Sequence, residues 1–191
     1  DKAETAKEGE SLNLARRSAR LMRRRLRRRA WRLTKLARVL KRFGLIDDAE
    51  YFHKQPGHAD SAWELRRAAL ERLLNAEEWA RVIYHLCKHR GFHGTSRAEE
   101  KKAEADSTGE GGKVKQGLAA TAKLFKEKNY RSAAEMVLAE FPNAQRNKHG
   151  EYSKALSRVL LADELKLVFE AQRRFGNTQA TEELQALMLG N

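Results

Sequence analysis

The longest hydrophobic pattern of the chain lies near its amino end. From residue 12 the apolar side chains recur in steps of three and four, which places them on one face of an α-helix: Leu12, Ala15, Ala19, Met22, Leu26, Ala30, Leu33, Ala37 and Leu40. Ser11 is suited to cap the start of this helix, and Gly44 is suited to end it. The pattern predicts a helix from Leu12 to Phe43, about 48 Å long at about 1.5 Å per residue.

Shorter helical patterns fill most of the remaining chain. Three sequences of the capping-box kind, which begin at Ser61, Asn75 and Ser132, mark the starts of helices. The apolar spacing predicts further helices over residues 61–74, 75–90, 118–128, 132–141, 154–175 and 179–189. No alternation of apolar and polar residues is long enough for a β-strand. The predicted fold class is therefore all-α, with a long arginine-rich helix followed by a multi-helix domain.

Residues 94–117 interrupt these patterns. Charged residues, glycine and serine dominate this stretch, and Val114 is its only large apolar residue. A segment of this composition buries too little apolar surface to offset the entropy of ordering it. We therefore expect a mobile surface loop over residues 94–117.

Positive charge is concentrated in the long predicted helix. Fourteen basic side chains and no Asp or Glu lie between Ser11 and Ile46, whereas the net charge of the whole chain is +13. The remainder of the chain is therefore close to neutral. At about 100° per residue these side chains cover about 240° of the helix circumference, so one flat anionic surface cannot reach them all. The basic residues are Arg16, Arg17, Arg20, Arg23, Arg24, Arg25, Arg27, Arg28, Arg29, Arg32, Lys35, Arg38, Lys41 and Arg42.

This charge distribution favours a nucleic-acid partner. Like charges four residues apart each cost about 0.2 to 0.5 kcal/mol, and no acidic residue is interleaved to offset them. A membrane-surface helix needs a bulkier apolar face, because four of the nine apolar positions here are Ala. Arg outnumbers Lys by twelve to two, and the guanidinium group matches two phosphate oxygens at once. If six to ten of these residues contact phosphates, affinity falls by about 10³- to 10⁵-fold between about 50 and 200 mM salt.

Other chemically interesting residues support fewer conclusions. Trp31 lies outside the apolar face, where it could stack on a base or pack against another domain. His85 and His89 share a helical face, but Cys87 points away from both, so we predict no metal site. The single cysteine excludes a disulfide framework and favours a reducing compartment. No apolar run approaches the roughly 20 residues of a membrane span.

Two polar clusters outside the long helix are candidates for contacts with RNA. Lys88-His89-Arg90-Gly91-Phe92 forms a basic turn at a predicted helix end, where basic residues also occur simply because they complement the helix dipole. A second cluster offers amide, ring and cationic groups suited to RNA backbone and 2′-hydroxyl groups, although ordinary loops share this composition. Its members are Arg146, Asn147, Lys148, His149, Tyr152, Lys154 and Arg158. We find no glycine-rich phosphate loop and no nucleophile elbow, so catalysis by this chain is not predicted.

Several motifs occur in the same order as in a known family. They are Ser-Leu-x-x-Ala-Arg-Arg at 11–17, the arginine helix, Trp-Glu-Leu-Arg-Arg-Ala-Ala-Leu at 63–70, Lys-His-Arg-Gly-Phe at 88–92 and Phe-Glu-Ala-Gln-Arg-Arg-Phe-Gly-Asn at 169–177. In this order they resemble the type II-C CRISPR effector nucleases of the Cas-nine family. The resemblance covers nearly the whole chain apart from the stretch around residues 94–117.

The resemblance implies an organisation for the chain. Residues 1–10 correspond to a linker from a nuclease domain that is absent here, residues 11–44 to an arginine-rich bridge helix, and residues 45–191 to a helical recognition domain. The parent protein is expected to be a Mg²⁺-dependent, RNA-guided DNA endonuclease of the bacterial cytoplasm. Its RuvC and HNH nuclease domains lie outside this sequence, so this fragment is expected to have no nuclease activity and no cofactor of its own.

The resemblance also implies partners and site residues. The partners are guide RNA (crRNA:tracrRNA), target DNA in the heteroduplex and the remaining nuclease lobe, with no membrane. The residues expected to grip the guide backbone are Arg16, Arg17, Arg20, Arg23, Arg24, Arg27, Arg28 and Arg32. The residues expected to hold the repeat:anti-repeat duplex are His89, Arg90, Gly91, Phe92, Arg146, Asn147, Tyr152 and Arg158.

Two alternatives stay open at the level of sequence. The arginine helix could serve as a docking surface for an acidic, anti-CRISPR-type protein that imitates nucleic acid. The chain could also be a free-standing basic RNA-binding protein. Charge alone motivates both, because either partner would neutralise the arginine helix.

Overall fold

The computed structural model of the chain describes residues 12–54, 59–92, 110–142 and 152–190. Within these ranges the secondary structure is helical, apart from one isolated bridge between Phe92 and Ser157. The predicted all-α fold class is confirmed. The helices are α1 (Leu12–Arg42), α2 (Tyr51–Lys54), α3 (Ala62–Ala68), α4 (Ala76–Lys88), α5 (Glu110–Glu127), α6 (Ala133–Glu140), α7 (Arg158–Arg174) and α8 (Glu182–Leu189).

Helix α1 has the predicted length and ends as predicted at Gly44. Gly44 has a φ of 71°, a left-handed conformation that glycine adopts without steric cost. The Leu45 amide donates to the Leu40 carbonyl at 3.0 Å, and the Gly44 amide donates to the Lys41 carbonyl at 3.0 Å. These two bonds form a Schellman motif, which satisfies the last carbonyl groups of the helix.

Only the carboxyl-terminal part of α1 belongs to the core. Leu36, Ala37 and Leu40 are buried, and the helix packs there against α4. Every side chain described from residue 13 to residue 31 is exposed, including Met22 at 55% and Leu26 at 57%. The predicted apolar face of α1 therefore packs into the core only at its carboxyl-terminal end. Its amino-terminal half remains exposed.

The predicted loop over residues 94–117 is wrong for residues 110–117, which form the start of α5. A Cβ atom at Gly117 would collide with the Tyr152 carbonyl oxygen, so this glycine permits close packing. One turn later the Thr121 hydroxyl donates to the Ala155 carbonyl at 2.5 Å. These contacts with the segment before α7 explain why a glycine-rich sequence is helical here. The remainder of the predicted loop, residues 94–109, lies outside the described residues.

Helix α7 begins later than predicted, at Arg158 and not at residue 154. Ser157 is its N-cap, and the Ser157 hydroxyl accepts a hydrogen bond from the Leu160 amide at 3.2 Å. Ala155 and Leu156 are buried in the segment that leads to this cap. The apolar pattern used for the prediction therefore starts before the helix does. Ala155 and Leu156 contribute to the core from an irregular segment that precedes α7.

A buried ion pair joins three helices of the domain. Arg66 of α3 donates two hydrogen bonds to Glu164 of α7, both at 2.7 Å, and both side chains are almost fully buried. Glu164 also accepts from the Ala134 amide of α6 at 3.3 Å. The Arg66 guanidinium lies over the Trp63 ring at 4.2 Å and within 3.2 Å of His85 Nδ1. Each buried charge therefore has specific partners, which a stable buried pair requires.

The side-chain amide of Gln172 fixes the turn between α3 and α4. Its nitrogen donates to the carbonyls of Ala69 and Arg72, both at 2.8 Å. Its oxygen accepts from the Leu74 amide at 3.0 Å and from the Asn177 side chain at 3.1 Å. One buried side chain thus satisfies three backbone groups of the turn between α3 and α4 and also holds the Asn177 side chain after α7.

Two of the three predicted capping boxes are complete. Both reciprocal bonds are present at Ser61 with Glu64 and at Asn75 with Glu78. At the third site the Ser132 hydroxyl accepts from the Glu135 amide, but the Glu135 carboxylate binds the backbone amide and guanidinium of Arg131 instead. The stronger attraction between opposite charges redirects this carboxylate.

We predict that Glu164→Gln destabilises the chain by about 3 to 5 kcal/mol, because it leaves the Arg66 charge buried and unpaired. Urea unfolding followed by circular dichroism measures this change. Asp163→Asn is the matched control, because Asp163 is exposed and forms a surface pair with Lys166 at 3.2 Å, which contributes up to about 1 kcal/mol. Equal effects of the two variants would contradict the assigned role of the buried pair.

We also predict that the exposed half of α1 is the least protected helix of the free chain. Amides of residues 16–30 should exchange with solvent faster than amides of residues 161–172, because tertiary packing supplies most helix stability. Hydrogen exchange followed by mass spectrometry measures both. Equal protection of the two segments would show that α1 is stabilised without a partner.

Candidate nucleic-acid interface

Five arginines line one concave surface on the exposed half of α1: Arg20, Arg23, Arg24, Arg27 and Arg28. They lie three, four, seven and eight residues from the first, which brings them to one side of a helix. We call this surface the arginine face. Because all five side chains are exposed, they can reach a ligand without rearrangement of the core.

The chain supplies almost no negative charge to α1. Among the described residues, Arg42 is the one basic residue of α1 that pairs with a carboxylate, that of Glu183 at 3.5 Å, and both side chains are exposed. The carboxylates of the helical domain are used elsewhere, for example by Arg72 with Glu78 and by Lys128 with Glu140. The charge of the arginine face is therefore available to an external anion.

Three further arginines converge where α1 meets the rest of the domain. Partial desolvation lowers the pKa of Arg90, although its side chain is exposed, and the nearby charges of Arg32 and Arg158 lower it further. The Arg32 Nε atom is buried and has no hydrogen-bond partner among the described residues. An anion bound near them would offset these like charges and accept a hydrogen bond from the unpaired Arg32 donor. We call Arg32, Arg90 and Arg158 the arginine triad.

Two backbone hydrogen bonds bring two members of this triad, Arg90 and Arg158, together from distant parts of the sequence. The Phe92 amide donates to the Leu156 carbonyl at 2.8 Å, and the Arg158 amide donates to the Phe92 carbonyl at 2.9 Å. The Phe92 and Tyr152 rings lie edge to face with centroids 6.3 Å apart. The predicted basic turn at 88–92 and residues 152–158 of the predicted polar segment therefore form one surface.

Gly91 makes this close approach possible. Its φ is 75°, and a Cβ atom there would lie 2.7 Å from the carbonyl carbon and oxygen of Ser157. Any other residue would both strain the backbone and push the two segments apart. The role of this glycine is thus to position Arg90 and Arg158, and not to end α4, whose C-cap is His89.

The remaining predicted site residues are distributed as follows. Arg16 and Arg17 lie on the exposed half of α1, before the arginine face. His89 is exposed, with its ring 4.7 Å from the ring of His85. Arg146 and Asn147 lie outside the described residues, so their predicted role stays a prediction.

Among the described residues, His85, His89 and Cys87 do not form a ligand set. The Cys87 thiol lies 3.6 Å from the Met188 sulfur, and burial raises its pKa to about 11. His85 contacts the guanidinium of Arg66 at 3.2 Å. Within the part of the chain that the structure describes, no three potential metal-binding side chains lie together, and no helix is long and apolar enough to cross a membrane.

An apolar pocket beside the triad was not predicted from the sequence. Arg90 and Arg158 border it, and α4, α7 and α8 each contribute to its lining: Leu86, Cys87, Leu161, Ala162, Leu165, Met188 and Leu189. No local pattern could reveal it, because its walls come together only through tertiary packing.

Comparison with known proteins agrees with the family resemblance of the sequence motifs. No family model matches the chain. The chain is 34% identical to the CRISPR-associated endonuclease Cas9 of Campylobacter jejuni over 194 residues, which cover 92% of this chain and 18% of that protein. The crystal structure of Campylobacter jejuni Cas9 in complex with sgRNA and target DNA matches 94% of this chain and 24% of that one, with a TM-score of 0.77 and 29% identity.

Over nearly its whole length the chain therefore matches a segment of Cas9. Streptococcus thermophilus Cas9 shares the fold, with a TM-score of 0.62 at 20% identity over 93% of this chain and 14% of that one. The chain spans only about a fifth of the length of the curated relative it matches. These comparisons do not support either of the two alternatives left open by the sequence.

We predict that Gly91→Ala is more disruptive than Gly176→Ala. Both glycines have positive φ, so each substitution costs about 1 to 2 kcal/mol of backbone strain. At Gly176 nothing lies within 4 Å, whereas the methyl group at Gly91 meets fixed backbone, which adds about 1 to 3 kcal/mol. Urea unfolding of the two variants isolates the difference. Equal losses of stability would contradict the positioning role of Gly91.

Proposed function

We propose that this chain is the guide-RNA-binding segment of an RNA-guided CRISPR DNA endonuclease, and that it also contacts the guide:target duplex. In this proposal α1 is the bridge helix and the helices after it form the first recognition domain. The observation that carries the proposal is the arginine face, whose guanidinium groups lack carboxylate partners among the described residues. Such a surface binds the phosphate backbone of RNA without reading its sequence.

The arginine triad supports a second RNA contact in the same segment. We place a phosphate near Arg32, Arg90 and Arg158, because it would offset their like charges and accept a hydrogen bond from the unpaired Arg32 donor. Arg158 also opens α7, where the positive end of the helix dipole favours a phosphate. We assign this surface, with His89, Phe92 and Tyr152, to the repeat:anti-repeat duplex of the guide.

The proposed division of labour leaves cleavage to other parts of the parent protein. In RNA-guided nucleases of this kind, base pairing selects the target and the protein reads backbone shape. This segment binds and orients the RNA, while the Mg²⁺-dependent RuvC and HNH domains of the parent cut DNA. The relative named above is an endonuclease, and the assignment of cleavage to its other domains is part of the proposal.

A salt series with guide RNA tests this function. We expect the logarithm of affinity to fall linearly with the logarithm of salt concentration, because bound arginines release counterions from phosphates. Arg24→Gln and Arg27→Gln should each reduce the slope by about 0.7 to 0.9. Fluorescence anisotropy of labelled RNA measures these slopes.

Arg131→Gln is the charge-matched control. Arg131 is already paired with Glu135, and its guanidinium also lies 3.3 Å from Glu71. Its removal should therefore leave the slope unchanged. A flat salt dependence of the intact chain, or an equal change of slope in all three variants, would rule out the proposed role of the arginine face.

A further inference from the structure

We infer that Trp31 stacks on an unpaired base of the RNA held by the arginine face, and this inference rests on the function proposed above. Trp31 is 65% exposed, although it is the side chain with the largest apolar surface on α1. Its position on the helix, its neighbours and its contact with Lys35 together indicate a nucleobase as its ligand.

The position of Trp31 places it in line with the arginine face. At about 100° per residue, Trp31 lies within about 20° of Arg20 and Arg24 and within about 40° of Arg27. It lies about 140° from the centre of the apolar stripe of α1. Its ring therefore extends the arginine face by about one helical turn, about 6 Å beyond Arg27 along the axis.

The neighbours of Trp31 favour a base over a protein surface. An apolar protein patch that covered this ring would also have to bury Arg27 and Arg28, at a high cost in desolvation. A nucleic-acid strand can cover the Trp31 ring and still neutralise the neighbouring arginines, because its phosphates pair with the arginines while a base stacks on the ring. The apolar stripe on the other side of α1 is better suited to protein contacts.

The contact with Lys35 prepares the ring for stacking. The Lys35 ammonium group lies 4.7 Å from the centroid of the Trp31 ring, a cation–π distance. This contact restrains the side chain while most of its surface remains exposed. A restrained aromatic ring loses less conformational entropy when a base stacks on it.

The experiment compares two polyanions that bind the intact 191-residue chain. Single-stranded oligo(rA) carries phosphates and unpaired bases, whereas inorganic polyphosphate carries phosphates alone. We expect Trp31→Leu to weaken oligo(rA) binding by about 5- to 100-fold, the range measured for single stacked bases. Its affinity for polyphosphate should stay within about twofold of the original. Trp31→Phe, which keeps an aromatic ring, should retain most of the affinity for oligo(rA).

Tryptophan fluorescence gives an independent readout. Trp79 is fully buried, and Trp63 is half-buried against Arg66, so Trp31 is the tryptophan that a ligand can reach. Oligo(rA) should quench a component of the emission that is absent from Trp31→Phe, and polyphosphate should leave that component unchanged.

Each outcome decides between the two proposals. If Trp31→Leu binds oligo(rA) as tightly as the intact chain, stacking is wrong and Trp31 is assigned to protein packing, while phosphate binding by the arginine face stands. If Trp31→Leu loses affinity for both polyanions equally, the residue supports α1 and does not stack. If the intact chain binds neither polyanion, the proposed function itself fails.

Discussion

The repulsion among guanidinium groups on α1 is the constraint on which the rest of this structure depends. Fourteen basic residues lie between Ser11 and Ile46 without an acidic one, and α1 gains one exposed ion pair, with Glu183, among the described residues. A helix of this composition is anchored only where Leu36, Ala37 and Leu40 enter the core. The like charges on its exposed half therefore repel one another, and an external anion would relieve this repulsion.

The domain that follows α1 acts as a rigid support for this helix. The buried pair of Arg66 with Glu164 joins α3, α6 and α7, and Gln172 secures the turn before α4. Two of the motifs that resemble the family, around Arg66 and around Gln172, thus have structural roles. The motif around Gly91 is different, because it brings Arg90 to Arg158 and so shapes the surface proposed to bind RNA.

Sequence patterns predicted the helix ends and caps that depend on interactions between residues close in the chain. The end of α1 at Gly44 and the caps at Ser61 and Asn75 follow from backbone hydrogen bonding within a few residues. The start of α5 was missed because Gly117 is favoured there by its contact with Tyr152, which is remote in sequence. Several candidate arginines were found by composition. The proximity of Arg32, Arg90 and Arg158 depends on tertiary packing, so the sequence could not predict it.

The most direct test of this account is a structure of the chain bound to guide RNA. The account predicts that most guanidinium groups of the arginine face lie about 2.7 to 2.9 Å from phosphate oxygens, and that a phosphate lies between Arg32, Arg90 and Arg158. Guanidinium groups that remain in solvent, or that turn to carboxylates of the chain itself while RNA is bound elsewhere, would contradict it.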